Sequence, residues 1–152
     1  MRKFEIVKDD FIKYGVSDIK LPVRATQHSV GYDFYSPIEQ TIESGETKLI
    51  FTNVKAKFGD NEGLILASTS GLGKKGIILA NGIGIIESDY YGNQSNDGNI
   101  GFMLHNLSDM SITINKGDKI GQGFFINFLK VDNEQEVQTV RTGGFGSTNI
   151  SN

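Results

Sequence analysis

Apolar and polar residues alternate over short stretches along most of this chain. Leu49 and Phe51, then Ile100, Phe102 and Leu104, then Ile112 and Ile114 recur at period two, the spacing that puts side chains on one face of a strand. Ile120, Phe124, Ile126 and Phe128 continue that pattern and are expected on one face. Phe4, Ile6 and Phe11 suggest an opening strand, residues 48–58 one half-buried strand, and Leu64–Ala67 a short buried one. Ser44-Gly45-Glu46, residues 59–63 and Lys116-Gly117-Asp118 read as turns, and Gly31 as a turn feeding the strand after it. The polar, glycine-rich run STSGLGKKG, residues 68–76, has room for one helical turn opening after Ser70. Strands separated by turn signals roughly every ten residues predict an all-β sandwich or barrel.

Residues 81–92, NGIGIIESDYYG, stand out from this pattern. Gly82 and Gly84 leave the backbone bare between β-forming isoleucines, and glycine inside a strand often marks a close backbone approach. A hairpin that presents its main chain to a ligand is expected, with Glu87, Asp89 and Tyr90 at its outgoing end; an ordinary buried hairpin is the alternative. The loop at residues 93–99, dense in Asn, Gly and Asp, reads as a solvated turn.

Composition narrows the function. The 152 residues suit a single domain, with 1–140 forming the barrel and 141–152 a flexible C-terminal arm. A net charge of −3 offers no basic field for nucleic acid. The chain has no cysteine, so thiol chemistry and cysteine zinc sites are excluded. His28 and His105 share no metal-ligand spacing and read as structural. The opening MRKFEIVKDDF acquires acids before any apolar run, unlike a secretory signal. No apolar run approaches the ~20 residues of a membrane helix, and a cytoplasmic protein is expected.

Three segments could receive an anion. Ser70-Gly71 offers a hydroxyl and bare amides at a possible helix start. Gln122 offers a neutral amide, and residues 141–148 offer Arg141, a glycine pair, Phe145 and two hydroxyls. Taken alone, each reads more readily as a plain turn than as a binding site. Together LPVRATQHSVGYDFYS, STSGLGKKGI, NGIGIIESDYYG, GDKIGQ and RTGGFGST resemble, in order and spacing, the five motifs of the trimeric dUTP pyrophosphatases (dUTPases), from about Pro22 to Thr148.

The resemblance implies a distorted jelly-roll/β-barrel that forms a homotrimer, with each arm closing over a neighbouring subunit's site. It implies hydrolysis of dUTP to dUMP and pyrophosphate, with Mg2+ held through the substrate phosphates and not by a protein ligand set. The backbone of Asn81, Gly82, Ile83, Gly84 and Ile86, with the Asn81 side chain, would read the uracil edge, and Tyr90 would pack under the deoxyribose. Ser70, Gly71 and Gln122 would contact the inner phosphates. Arg141, Gly146, Ser147 and Thr148 would hold the outer ones while Phe145 stacks on the base. Glu87 would be the catalytic base, with Asp33 and Thr69 in support.

Two positions depart from the family's pattern. The base is usually aspartate. The reference pKa values of Asp and Glu differ by only about 0.4, but the added methylene of Glu87 alters reach, and a displacement of ~1 Å can cost roughly 100-fold. Thr69 stands where an arginine is usual, and a hydroxyl is no substitute for a bidentate guanidinium clamp; Lys74 or Lys75 could compensate, or both could be solvated surface. These departures motivate the alternative of a dUTP-binding regulatory protein with weak or absent catalysis.

Overall fold

A computed structural model describes residues 1–148. Among the described residues eleven strands and one α-helix follow in the order β1 (Lys3–Ile6), β2 (Tyr32–Tyr35), β3 (Gln40–Ile42), β4 (Thr47–Phe51), β5 (Val54–Lys57), β6 (Glu62–Ala67), α1 (Ser70–Lys74), β7 (Ile77–Leu79), β8 (Gly84–Ile86), β9 (Gly101–Asn106), β10 (Ile112–Ile114) and β11 (Lys119–Asn127). The fold is all-β and jelly-roll-like. Its largest sheet has the order β2-β11-β6-β8, beside a three-stranded sheet β4-β9-β7 and the pairs β1-β5 and β10-β3. All pairings between these strands are antiparallel. Phe34, Ile50, Leu64, Ile77, Phe102, Leu104 and Ile120 are buried in one core that joins the two larger sheets.

β9 keeps strict alternation, with Phe102, Leu104 and Asn106 inward. Three expectations are corrected. Phe11 belongs to a single 3-10 turn, Asp9–Phe11, and not to the opening strand. Residues 48–58 do not run as one strand: Asn53 takes a left-handed conformation, φ 61°, and the chain leaves the β9 partnership of β4 for the β1 partnership of β5. Three of the four β5 residues are buried, so its pattern does not alternate.

The third correction concerns β11. Lys119 and Gly121 face the consecutive residues Tyr35 and Phe34, so Ile120 is the extra residue of a bulge. A bulge reverses the parity of the residues beyond it. Gly121, Gly123 and Phe125 therefore face the core, while Phe124 and Ile126 face outward. The glycines are there because aromatic rings occupy the space. A Cβ on Gly121 would lie 2.0 Å from Phe102 Cε1, and one on Gly123 would lie 3.0 Å from Phe34 Cε2.

Outward-facing Phe124 pairs with Ile65, and Ile65 with Ile85, forming an apolar row across three strands; Ile85 is 59% exposed. After Asn127 no helix or strand occurs through residue 140, and that stretch is exposed. Gly121→Ala is expected to destabilise the fold by about 3 kcal/mol, since a rigid ring in the core cannot yield to the methyl group; urea denaturation measures this.

Candidate active site

Most of the residues singled out by the sequence line two clefts; Gly82, Ile83, Gly146, Ser147 and Thr148 line neither. The first, about 490 Å³, is lined by Asp33, Thr69, Ser70, Gly71 and Gln122, together with Lys75 and Lys119. Thr69 caps α1: its side-chain oxygen accepts the Leu72 N–H at 3.3 Å. The helix thus begins at Ser70, and the amides of Ser70 and Gly71 stand at its open end, ahead of any intrahelical acceptor. Asp33 is mostly buried and pairs with Lys119 at 2.8 Å. This hydrogen bond, and the carboxylate charge behind it, raise the Lys119 pKa above its ordinary value. Gln122 Nε2 donates to the Ser68 carbonyl at 3.0 Å, which fixes the amide at the cleft wall.

The second cleft, about 150 Å³, is lined by Asn81, Gly84, Ile86, Glu87, Tyr90, Arg141 and Phe145. The stretch that enters it is not a hairpin. β7 pairs with β9 and β8 pairs with β6, so residues 80–83 carry the chain from one sheet to the other. Gly82 turns at φ 76°, where a side chain would be strained. A Cβ on Gly84 would meet Leu66 Cβ at 2.9 Å. Gly82 and Ile83 are exposed at the tip, and Asn81 is exposed beside them.

The strand stops at Ile86, and Ser88–Tyr90 form a 3-10 turn. Asp89 consequently does not continue the strand face of Glu87; it accepts the Arg141 backbone N–H at 3.2 Å. Arg141 Nη2 lies 3.1 Å from Glu87 Oε2, and its Nε lies 3.4 Å from Asp89 Oδ1. In this single chain the arm lies against its own cleft. Phe145, half-exposed, meets Phe51 edge-on at 5.8 Å between ring centroids. Gly146 at φ 93° turns the arm onward, and Ser147 and Thr148 are exposed.

Tyr90 is 4% exposed. Its hydroxyl donates to Asn99 O at 2.7 Å and accepts from Asn96 Nδ2 at 2.8 Å. Burial raises the phenol pKa, and the Asn96 hydrogen bond opposes that only in part. The loop that supplies these partners is no solvated turn, contrary to expectation. Asn93, Asp97 and Asn99 are buried. Asn93 Oδ1 accepts the N–H groups of Ser95 and Asn96, and Asn99 exchanges hydrogen bonds with Asn53. Asp97 pairs with buried Lys55 at 2.7 Å and accepts the Lys8 N–H at 2.8 Å. Burial alone would raise the Asp97 pKa, but these hydrogen bonds and the two lysine charges outweigh it and hold the carboxyl below its usual value.

The register places Asp33 and Gln122 of the first cleft on one face of the four-stranded sheet and Leu66, Gly84 and Ile86 of the second on the other, while Ile85, which also lines the second cleft, shares the face of Gln122. Asp33, Gln122 and Ala67 are directly opposite one another on one face. Leu66 with Gly84, and Leu64 with Ile86, stand on the other. The sequence reading did not single out Lys119, although it lies inside the GDKIGQ segment. Nor did it find the Lys55–Asp97 pair, because no periodicity marks a lysine as buried. Chemically, the first cleft offers amides, a hydroxyl and cations suited to phosphate oxygens. The second offers a carboxylate beside a guanidinium at the mouth of an aromatic-walled pocket.

Such a pair of clefts on a jelly-roll-like barrel suits a hydrolase acting on a nucleotide, and comparison with known proteins agrees. The chain matches the dUTPase family model over residues 17–149. It is 39% identical over 150 residues to the deoxyuridine 5'-triphosphate nucleotidohydrolase of Lactococcus lactis, covering 97% of each chain. A crystal structure of dUTPase from Streptococcus mutans superposes with a TM-score of 0.77 at 34% identity, covering 86% of this chain and 98% of that one. A dUTPase from phage phi11 of S. aureus, whose structure concerns the coordination of a structural Mg(II) ion, shares the fold at a TM-score of 0.68 and 19% identity, covering 91% and 97%. The chain belongs to the dUTPase family.

Asp97→Asn leaves Lys55 buried without a counter-charge and is expected to cost about 3 kcal/mol of stability at pH 7. A carboxylate with a depressed native pKa stabilises above its unfolded value, about 3.9, and that contribution is lost as pH falls through the native pKa. The gap between variant and wild type should therefore narrow below pH ~4, as read by denaturation at a series of pH values.

Proposed function

We propose that this protein hydrolyses dUTP to dUMP and pyrophosphate, in the cytoplasm. The observation that carries the reading is the placement of Glu87 and Arg141, 3.1 Å apart, at the mouth of the Tyr90 pocket beside a backbone bared by Gly82 and Gly84. Uracil enters against the backbone of residues 81–86, which can exchange hydrogen bonds with its edge, and Phe145 covers it. The deoxyribose lies over Tyr90, whose anchored ring leaves no space for a 2′-hydroxyl. Ser70, Gly71 and Gln122 meet the inner phosphates. Lys75, in the wall of the first cleft, supplies charge there in place of the arginine that Thr69 replaces, and Asp33 orients Lys119. Arg141, Gly146, Ser147 and Thr148 hold the outer phosphates.

A water in line with the α-phosphorus attacks it while Glu87 accepts the proton. The bond from the α-phosphorus to the bridging oxygen breaks, and pyrophosphate leaves. Positioning and charge complementarity supply most of the rate in such transfers. Among the described residues no three His, Asp or Glu side chains group as a metal-ligand set, and Asp33, Glu87 and Asp89 already face cations. That donor set fits a Mg2+ ion carried on the triphosphate oxygens and waters. Such an ion would neutralise charge that develops on the phosphates.

A dUTP touching both clefts would span more than one chain, because Leu66, Gly84 and Ile86 of the second cleft face away from Asp33 and Gln122 of the first. This supports a homotrimer in which an arm closes over a neighbouring subunit's site. The apolar row Ile85–Ile65–Phe124 is a surface for such association. None of the contacts described favours a regulator without turnover.

Pyrophosphate release with Mg2+ is expected from dUTP and not from dTTP, dCTP or UTP at equal concentration; comparable release from UTP would refute the sugar discrimination assigned to Tyr90. Glu87→Gln should lower kcat by roughly 100-fold or more while nucleotide affinity stays within a few-fold. Phe124→Asp should shift the light-scattering mass from three times the 16.7 kDa chain toward one, with loss of turnover.

A further inference from the structure

We propose that Asn96 is a positioning residue for sugar selection: its amide fixes the Tyr90 ring, and through the ring it sets how strongly a ribonucleotide is refused. Asn96 Nδ2 donates to the Tyr90 hydroxyl at 2.8 Å. That hydroxyl gives its one proton to Asn99 O at 2.7 Å. The Asn96 amide has a single workable orientation. Its Oδ1 accepts from Asn93 Nδ2 at 2.7 Å and from the Gly98 N–H at 3.0 Å, and a flipped amide would turn its NH2 toward both donors. Asn93 Nδ2 also donates to the Tyr90 carbonyl at 2.7 Å. These bonds form a closed circuit from the Tyr90 carbonyl, through Asn93 and Asn96, to the Tyr90 phenol. The residue is held at both ends.

The loop adopts an unfavourable backbone to build this circuit. Asp97 is left-handed at φ 58° and Gly98 at φ 87°. A non-glycine residue keeps such a conformation only where its surroundings over-determine it, and strain of this kind clusters at functional sites. The Lys55 ammonium and the Lys8 N–H, both on the Asp97 carboxylate, supply that restraint. Gly98 is glycine for a second reason, since a Cβ there would lie 2.8 Å from the Tyr90 carbonyl oxygen. Backbone crowds the ring from the side as well: a Cβ on Gly144 would lie 2.6 Å from Tyr90 Cε2.

Ribose and deoxyribose differ by one oxygen. To admit that oxygen the ring must retreat, and retreat breaks both bonds of a buried phenol, where lost partners are not replaced by water. Discrimination therefore resides as much in the amide that holds the ring as in the ring itself. The consequence for sugar choice rests on the dUTPase reading; the circuit does not.

Two measurements on the full-length protein test the two parts separately. In tyrosine labelled with 13C at Cζ and dissolved in equal H2O and D2O, a slowly exchanging hydroxyl proton splits the carbon line by the isotope shift. The Tyr90 line, assigned by its absence in Tyr90→Phe, is expected to be split without nucleotide and to collapse in Asn96→Ala. In turnover, Asn96→Ala should lower the ratio of kcat/KM for dUTP to that for UTP about tenfold, chiefly by raising UTP turnover. Adding Asn96→Ala to Tyr90→Phe should lower the ratio no further, because the bond is already gone. Asn96→Ser keeps an acceptor for the Gly98 N–H but is too short to reach the phenol, so it separates the tether from the turn. It should behave as Asn96→Ala does, and it serves where the alanine variant does not fold.

An unsplit Tyr90 line in the wild type, or one that stays split in both Asn96 variants, overturns the circuit. A ratio that both variants leave unchanged, as when the two substrates lose turnover in parallel, overturns the sugar assignment, as do additive losses in the double variant. A line that collapses as expected in a protein that does not hydrolyse dUTP keeps the circuit and refutes the dUTPase reading.

Discussion

Everything at the second cleft depends on satisfying buried amides. Asn93, Asn99 and Asn53 are among the most enclosed polar side chains in the molecule, and each carries donors and acceptors that cost about 1–3 kcal/mol apiece if left unpaired in the interior. They meet that demand by bonding to one another and to the backbone at Lys13, Tyr90 and Asn96. The result ties together three distant parts of the chain: the N-terminal segment, the turn after β4 and the loop before β9. Tyr90 is fixed as a by-product, because its hydroxyl is one more member of the network. The pocket wall is thus rigid for reasons that have nothing to do with a ligand.

The same economy appears where rings meet glycine. Phe102 and Phe34 pack 5.2 Å apart between centroids, and β11 passes beside them only because residues 121 and 123 lack side chains. Tyr90 and Gly144 repeat the arrangement at the cleft. Close-packed interiors leave no slack for an added methyl group. Aromatic rings in this chain therefore set where glycine must occur, in the core as in the site.

Much of this was legible in the sequence. Period-two spacing found β9 and β10, turn residues marked most strand ends, and the five glycine-bearing segments pointed to both clefts and to the family. What escaped reading was of one kind. Periodicity reports which face a residue occupies but not when the backbone changes its count, so the bulge at Ile120 and the break at Asn53 went unseen. Polar composition reports solubility but not mutual bonding, so the loop at residues 93–99 read as solvated. The glycine-spaced stretch read as a hairpin, yet its flanking strands part company, β7 pairing with β9 and β8 with β6.

The bulge in β11 has a further meaning. One additional residue decides whether Phe124 and Ile126 point into the barrel or away from it. Counting, and not chemistry, separates a strand that buries these apolar side chains from one that turns them outward. A chain of this type could gain or lose a sticky flank by a single-codon insertion or deletion, with every side chain in the strand unchanged. Quaternary structure would then turn on an odd or even number.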